Sequence, residues 1–247
     1  MQILPISDIH YQTCFKSNER AVKNSEGDIL YKTTTYFFRN DTDWDNLIEF
    51  LCNKYKNTEK INVYSYGCSN GMEPYSFLLQ LLSFRPKMLE KCTPVIAKDI
   101  DMKNIEMAKQ GDYEIDSHDL FTLDYQTCGK YKKYFDCQER YNVSGPDIIL
   151  TAKNNIKEHI NFEQGDIFED IKKLPNKNTV IFCKNFWPYL TPEKRELLAK
   201  NLSEQFDKTC TIIIGDFDKY YSDAEKLLKK NNLRKYPYMD YVWEKEK

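Results

Sequence analysis

Residues 64 to 76 read YSYGCSNGMEPYS, with two glycines, a cysteine and a carboxylate between a strand-like run and a helix-like run. Gly67 and Gly71 carry no Cβ, so the chain there can take positive φ and a ligand can approach its backbone closely. Pro74 suits the first turn of the helix that follows. A second carboxylate, Asp99 in AKDID, lies roughly 30 residues beyond Gly67, a wider spacing than that of the acidic residue in the dinucleotide fingerprint. A carboxylate placed there can accept from both hydroxyls of a ribose. GCSNG lacks the third glycine of G-x-G-x-x-G, and no phosphate-cradling lysine follows, so a nucleoside without phosphates fits better than a dinucleotide. Two structural alternatives stand beside this chemistry. Asn70 and Glu73 have the spacing of a capping box, and Asp99 or Asp101 would serve as cap to a helix beginning near Met102. We expect Asp101 to cap and Asp99 to bind. Cys68 has no histidine placed nearby to activate it, and reads as a small packing residue rather than a nucleophile.

These residues need a scaffold, and the patterning around them supplies one. TDWDNLIEFLCNKY places Trp44, Leu47, Ile48 and Leu51 at helical spacing, with Thr42 or Asp43 as its cap. KINVYSYG then reads as a buried strand, MEPYSFLLQLLSF as a helix, PVIAKDID as a strand, and MKNIEMAKQG as a helix stopped by Gly111. After a polar middle section come HINFEQGDIFED, the strand NTVIFCKNF, the helix TPEKRELLAKNLSEQF, the strand TCTIIIGDFD and a helix SDAEKLLKKNN. Continuous apolar strands such as TVIFC and TIIIG suit a parallel sheet covered on both faces, a doubly wound α/β plan. In such sheets ligands sit beyond the carboxyl ends of the strands. The lysine-rich stretch 226–235 reads as a solvated helix face.

Composition narrows the class. At 247 residues, one domain with an insertion is favoured over two equal domains. Lys plus Arg number 36 against 38 Asp plus Glu, a net charge of -2, which gives no global attraction to nucleic acid or acidic membrane. Eight cysteines (14, 52, 68, 92, 128, 137, 183 and 210) form no CxxC pair and follow no secretory leader, so reduced thiols and a cytoplasmic setting are expected. Three histidines at unrelated spacings do not suggest a zinc site, and no metal is expected. No apolar run is long enough to span a bilayer.

Five ordered blocks carry a more specific signal: TYFFR at 35–39, VYSYGCSNGMEPYSFLLQLL, KDIDMKNIEMAKQGDY, KYFDCQERYNVSGPDIILTAKNNIKEHINFEQGDIF and VIFCKNFWPYLTPEKRELLAKNL. In that order they resemble the CheR-type S-adenosylmethionine-dependent methyltransferases, which methylate glutamate side chains of chemotaxis receptors, and the resemblance runs from residue 33 to about 218. It implies a Rossmann-like class I methyltransferase, a seven-stranded doubly wound sheet with a small inserted β-subdomain at about 112–160, and S-adenosylmethionine as cofactor with S-adenosylhomocysteine as product. The methyltransferase domain would span 33–247. Residues 1–32 would form a short segment where the family usually has a helical domain implicated in receptor contact.

The resemblance also implies roles for residues. Glu73 would meet the ammonium of the methionine part, Asp99 the ribose, and Gly67, Cys68 and Gly71 the turn around the cofactor. Asp166 stands where the family usually has Asn and would accept from the adenine amine, with Ile167 packed on the base. Thr35 and Arg39 match the segment closing over cofactor and methyl group, and Thr33 stands where Asn is common. Asn185 and Tyr189 match R-N-x-x-x-Y, with Lys184 in place of Arg, which exchanges a planar fork for a point charge. Arg39 and Tyr189 are the expected catalytic residues, one orienting the acceptor carboxylate and the other positioning it. The expected partner is a receptor or signalling protein docked through the β-subdomain, where ERYNVSGPDIILTAK would form a hairpin around Ser144-Gly145 and add a strand. Two alternatives stay open. NFWPY faintly echoes the N-P-P-Y motif of amino-methylating DNA enzymes, and the altered Asn and Arg positions suit a cofactor-binding sensor without turnover.

Overall fold

The computed structural model describes residues 20–23, 29–33, 35–142 and 145–246. Strands β1 (Arg20–Lys23) and β2 (Ile29–Thr33) pair antiparallel, so the expected 1–32 segment falls largely outside the described residues. Helix α1 (Trp44–Lys54) starts at Asp43, whose carboxylate accepts from Asn46 N at 3.1 Å, and it buries Trp44, Leu47, Ile48 and Leu51 as the spacing predicts. Then come β3 (Asn62–Tyr66), α2 (Met72–Phe84), α3 (Pro86–Cys92), β4 (Val95–Asp99) and α4 (Met102–Gln110), the last closed by Gly111 at φ +70°.

An excursion follows: β5 (Asp112–Ile115), α5 (Ser117–Thr127), β6 (Phe135–Asn142), β7 (Gly145–Ala152) and α6 (Asn154–Lys157). The chain then returns through β8 (Ile160–Gln164), α7 (Ile167–Asp170), β9 (Thr179–Cys183), α8 (Pro192–Gln205), β10 (Thr211–Ile213), α9 (Asp216–Tyr221), α10 (Ala224–Lys230), β11 (Leu233–Tyr236) and β12 (Met239–Lys245).

Seven strands form the central sheet in the order β11-β12-β10-β9-β3-β4-β8. From β3 the chain steps outward through β4 to β8, then returns to the other side of β3 as β9, so the strand order reverses between β3 and β9. The β4, β8, β9 and β10 pairings on this sheet are parallel, while β12 runs antiparallel to both of its neighbours. Alternation along β9 explains the double cover. Val180 and Phe182 enter the apolar cluster with α1 and α2, whereas Ile181 and Cys183 enter the one with Leu198 and Leu202 of α8. All five β9 residues are buried, as a strand covered on both faces must be.

The excursion makes its own antiparallel sheet, β5-β7-β6. Its strands β6 and β7 pair with Asn142 opposite Gly145, and Ser144 lies outside the described residues. An edge-to-face aromatic cluster fastens this sheet to the rest: Phe37 meets Tyr113 at 5.2 Å and Phe135 at 5.6 Å, and Tyr75 meets Phe135 at 5.6 Å. Tyr113 Oη also donates to the Asn70 carbonyl at 2.9 Å. One sequence expectation is corrected here. The lysine-rich stretch 226–235 is not one helix face: α10 ends at Lys230, Asn232 takes φ +59°, and Leu233 is buried at the start of β11.

Candidate functional site

A cleft of about 330 Å³ opens beyond the carboxyl ends of β3, β4 and β9, beside the point where the strand order reverses. The turn after β3 forms part of its wall. Gly67 takes φ +68°, and a Cβ there would stand 3.0 Å from the Phe186 ring. Ser69 N donates to Asp99 Oδ2 at 2.8 Å, tying this turn to the next strand.

Glu73 opens α2 but caps nothing. Gly71 is the N-cap with no side-chain bond, so the capping-box alternative is set aside. Glu73 Oε1 instead accepts from Ser65 Oγ at 3.1 Å, and its Oε2 stands 3.4 Å from Lys184 Nζ. Burial, with Asp41 nearby, raises its carboxyl above the ordinary value against the pull of Lys184. Asp99 is buried and accepts from Asp101 N at 2.9 Å and Asn104 Nδ2 at 3.1 Å on its other oxygen. Burial raises its carboxyl too, while those bonds oppose the rise. Asp101 takes the α4 cap, accepting from Lys103 N, which leaves Asp99 on the cleft wall.

Asp166 does two things: it caps α7 by accepting from Phe168 N at 2.9 Å, and it lines the cleft between Gly165 and the buried Ile167. Residues 35–42 cross the site. Phe37 and Phe38 are core residues, and Phe38, at φ +48°, donates its N–H to Ser76 Oγ at 2.8 Å. Thr35 and Arg39 line the cleft, with the Arg39 guanidinium 5.2 Å from the centre of the Tyr36 ring. Thr33 belongs to β2 by its backbone, and its side chain lies outside the description.

After β9, Lys184 is buried to 4 % exposure. Its Nζ donates to Asp41 Oδ1 at 2.9 Å and to Thr42 Oγ1. Burial would depress this ammonium, but Asp41 and Glu73 more than offset it and hold the value above the ordinary one. Asn185 sits at φ +64°, a conformation asparagine tolerates, and donates from Nδ2 to Asp41 Oδ2 at 3.1 Å. Tyr189 lines the cleft at 38 % exposure with its ring 5.6 Å from Phe217. Trp187 is fully buried and donates Nε1 to the Cys183 carbonyl, so this residue of NFWPY belongs to the core, while Phe186 before it lines the cleft.

Of the expected site residues, Thr35, Arg39, Gly67, Glu73, Asp99, Asp166, Ile167, Lys184, Asn185 and Tyr189 meet at this cleft. Cys68 and Gly71 do not line it. Cys68 is buried, bonds by its N–H to the Lys98 carbonyl at 3.0 Å, and has its thiol pushed well up by burial. A Cβ on Gly71, at φ +93°, would fall 2.8 Å from the Phe162 ring and 3.0 Å from Ala108, so that glycine serves the packing of the turn on β8 and α4.

Two buried carboxylates that hold the cleft wall escape the sequence reading. Asp41 is held by Lys184 and Asn185, with Arg39 Nε 3.5 Å away. Burial pushes its carboxyl up, yet Lys184, Arg39 and the two hydrogen bonds bring it below the ordinary value. Asp218 is fully buried and accepts from Asn185 N at 2.6 Å, Gly215 N at 2.8 Å and Trp187 N at 3.0 Å. Its carboxyl is pushed up to about 7 by burial, with the three N–H groups opposing. The only advance signal for Asp41 is its place two residues after Arg39, and GDFD signals nothing beyond a turn. Outside the cleft, Asp116, His118 and Asp119 bring ligand-type atoms within 4.8 Å of one another at the start of α5.

A profile described as CheR methyltransferase, SAM binding domain, matches residues 33–236. Chemotaxis protein methyltransferase 2 of Vibrio cholerae serotype O1 is 27% identical over 186 residues, covering 73% of this chain and 60% of that protein. Chemotaxis protein methyltransferase of Borreliella burgdorferi is 26% identical over 188 residues, covering 73% and 62%. The chain thus spans about three-fifths of the length of these relatives. Among solved structures, magnesium protoporphyrin IX methyltransferase (ChlM) from Synechocystis PCC 6803 with bound SAM aligns at a TM-score of 0.41 and 15% identity, covering 83% of this chain and 76% of that one.

Proposed function

The chain belongs to the CheR methyltransferase family, and from that premise we propose that it transfers a methyl group from S-adenosylmethionine to a glutamate carboxylate of a receptor or signalling protein. The observation that carries the reading is the convergence of Arg39, Glu73, Asp99, Asp166 and Ile167 on one cleft. These residues fit the cofactor by chemistry: a carboxylate for the ammonium at Glu73, one for the ribose hydroxyls at Asp99, an acceptor for the adenine amine at Asp166, and a buried apolar face at Ile167. When bound, the cofactor supplies a methyl group already activated by its sulfonium, and leaves as S-adenosylhomocysteine.

What remains for the protein is alignment and exclusion of water. The acceptor carboxylate is ionised at neutral pH and needs no general base. In this reading Arg39 pairs with the acceptor carboxylate and Tyr189 positions it at the rim. We assign the methyltransferase unit to 33–247, with the insertion at about 112–160, and place partner docking on the β5-β7-β6 sheet by strand addition. Among the described residues no helix is long and apolar enough to cross a membrane, and we place the protein in the cytoplasm.

Methyl-labelled cofactor, incubated with the protein and a lysate of the source cells and then treated with mild alkali, tests the acceptor. Label that enters protein and leaves as methanol supports a carboxylate. Alkali-stable label, in protein or nucleic acid, overturns it, as does cofactor binding with no transfer. Arg39→Ala is expected to lower transfer about 10²- to 10³-fold while cofactor binding is retained; unchanged transfer removes Arg39 from its role.

A further inference from the structure

Three charged side chains, Lys184, Asp41 and Glu73, share a small volume where residues 35–42 cross the site. The side chains of Lys184 and Asp41 are 1% and 6% exposed, so their charges act at low effective dielectric, where an uncompensated ammonium is costly. Lys184 has two carboxylates within reach: Asp41 Oδ1 at 2.9 Å and Glu73 Oε2 at 3.4 Å. Glu73 is the group assigned above to the cofactor's own ammonium. A lysine resting on Glu73 alone would fill its acceptor sites and repel a second cation. The shorter contact is with Asp41, which is further held on its other oxygen by Asn185 Nδ2 at 3.1 Å.

We propose that Asp41 is a positioning residue for cofactor recognition: it holds and neutralises Lys184, and so leaves Glu73 able to receive the ammonium of the cofactor's amino-acid end. The inference rests on the Glu73 assignment. It also gives a meaning to the lysine at position 184. A compact ammonium can lean toward one of two carboxylates, as Lys184 does with Asp41 at 2.9 Å and Glu73 at 3.4 Å, whereas a planar fork at that place would engage the two more evenly. The charge directions agree, since Asp41 is held in its ionised form by Lys184 and Arg39 against the effect of burial.

The test needs no methyl acceptor. Affinities for S-adenosylhomocysteine and for 5′-methylthioadenosine, which lacks the amino-acid end, are measured by calorimetry, and their ratio isolates recognition of that end. Asp41→Asn is expected to bind S-adenosylhomocysteine about ten- to a hundredfold more weakly and 5′-methylthioadenosine as the unaltered protein does. Removing the stray cation as well, in Asp41→Asn with Lys184→Gln, is expected to restore most of the ratio, and Lys184→Gln alone is expected not to lower it. Equal loss for both ligands in Asp41→Asn, no loss for either, no recovery in the double variant, or a lowered ratio in Lys184→Gln overturns the proposal. Glu73→Gln separates the two claims. If it leaves the ratio unchanged, the Glu73 assignment falls and the proposal with it; if it collapses the ratio while Asp41→Asn does not, the role of Asp41 alone fails.

Discussion

Asp218 is closed off from solvent, yet three backbone N–H groups from two separate turns converge on its carboxylate. Its folded pKa of about 7 lies above the ordinary 3.8, so the folded state holds this proton more tightly than the unfolded chain. The associated stability is complete below about pH 4 and is lost as pH rises toward 7. Asp218→Asn, which cannot titrate, is expected to lack this slope while costing about 1–3 kcal/mol through an amide that faces N–H donors. Thermal midpoints of both proteins between pH 4 and 8 check it, and parallel curves would refute it. At this scale the sequence is readable where chemistry is local. Glu73 and Asp99 follow strands at turns and stand out. Asp41 gains its meaning from a lysine 143 residues away and Asp218 from an amide 33 residues away, distances over which no spacing rule operates.

Helix α2 shows what an element demands of one residue. Gly71 starts it at φ +93° against Phe162 and Ala108, so Gly71→Ala combines backbone strain with overpacking and is expected to cost about 2–4 kcal/mol. Gly129, at φ +73°, has only Asp124 Oδ1 at 3.6 Å near its missing Cβ, so Gly129→Ala is expected to cost about 1–2 kcal/mol from strain alone. Denaturant midpoints measure both, and equal losses would mean that crowding at Gly71 is relieved by local movement. Elements with strong patterns were legible in the sequence: α1 with its helical spacing, the long apolar α2, α4 with its glycine stop, and the fully buried β9. The short pieces were not. Helices α3 and α9 have seven and six residues, too few for a period to register. In β11 and β12 the buried residues follow no regular alternation, with Arg234 and Lys235 adjacent in one strand and Tyr241, Val242 and Trp243 consecutively buried in the other, a weaker signal than a continuous apolar run.

For the whole molecule, the ring cluster of Phe37, Tyr75, Tyr113 and Phe135 and the bond from Tyr113 Oη to the Asn70 carbonyl help fasten the β5-β7-β6 sheet to the rest. Tyr113→Phe keeps the rings and leaves that carbonyl unmet, with an expected cost of about 1–2 kcal/mol; an unchanged unfolding midpoint would mean this bond adds nothing to the joint. The doubly wound plan could be read from alternation of strand and helix. The joint could not, because it is made by four aromatic residues drawn from four separate stretches of chain.

The place of β12 sets an order in time. It lies between β10 and β11, although it follows both in the chain. While a ribosome is still short of residue 239, the Ile212 and Ile213 edge of β10 has no neighbour on that side, and β11 has none at all. Lys54 on α1 waits for Glu244, and the carbonyl of its capping residue Asp43 waits for Tyr241 Oη. The cleft is encoded between Thr35 and Asp218, but the segment that carries Arg39 and Asp41 runs into a helix steadied by β12. Closure of the sheet therefore waits until residues 239–245 are available, and a nascent chain carries an open β edge before that point, when it is most exposed to pairing with a neighbour.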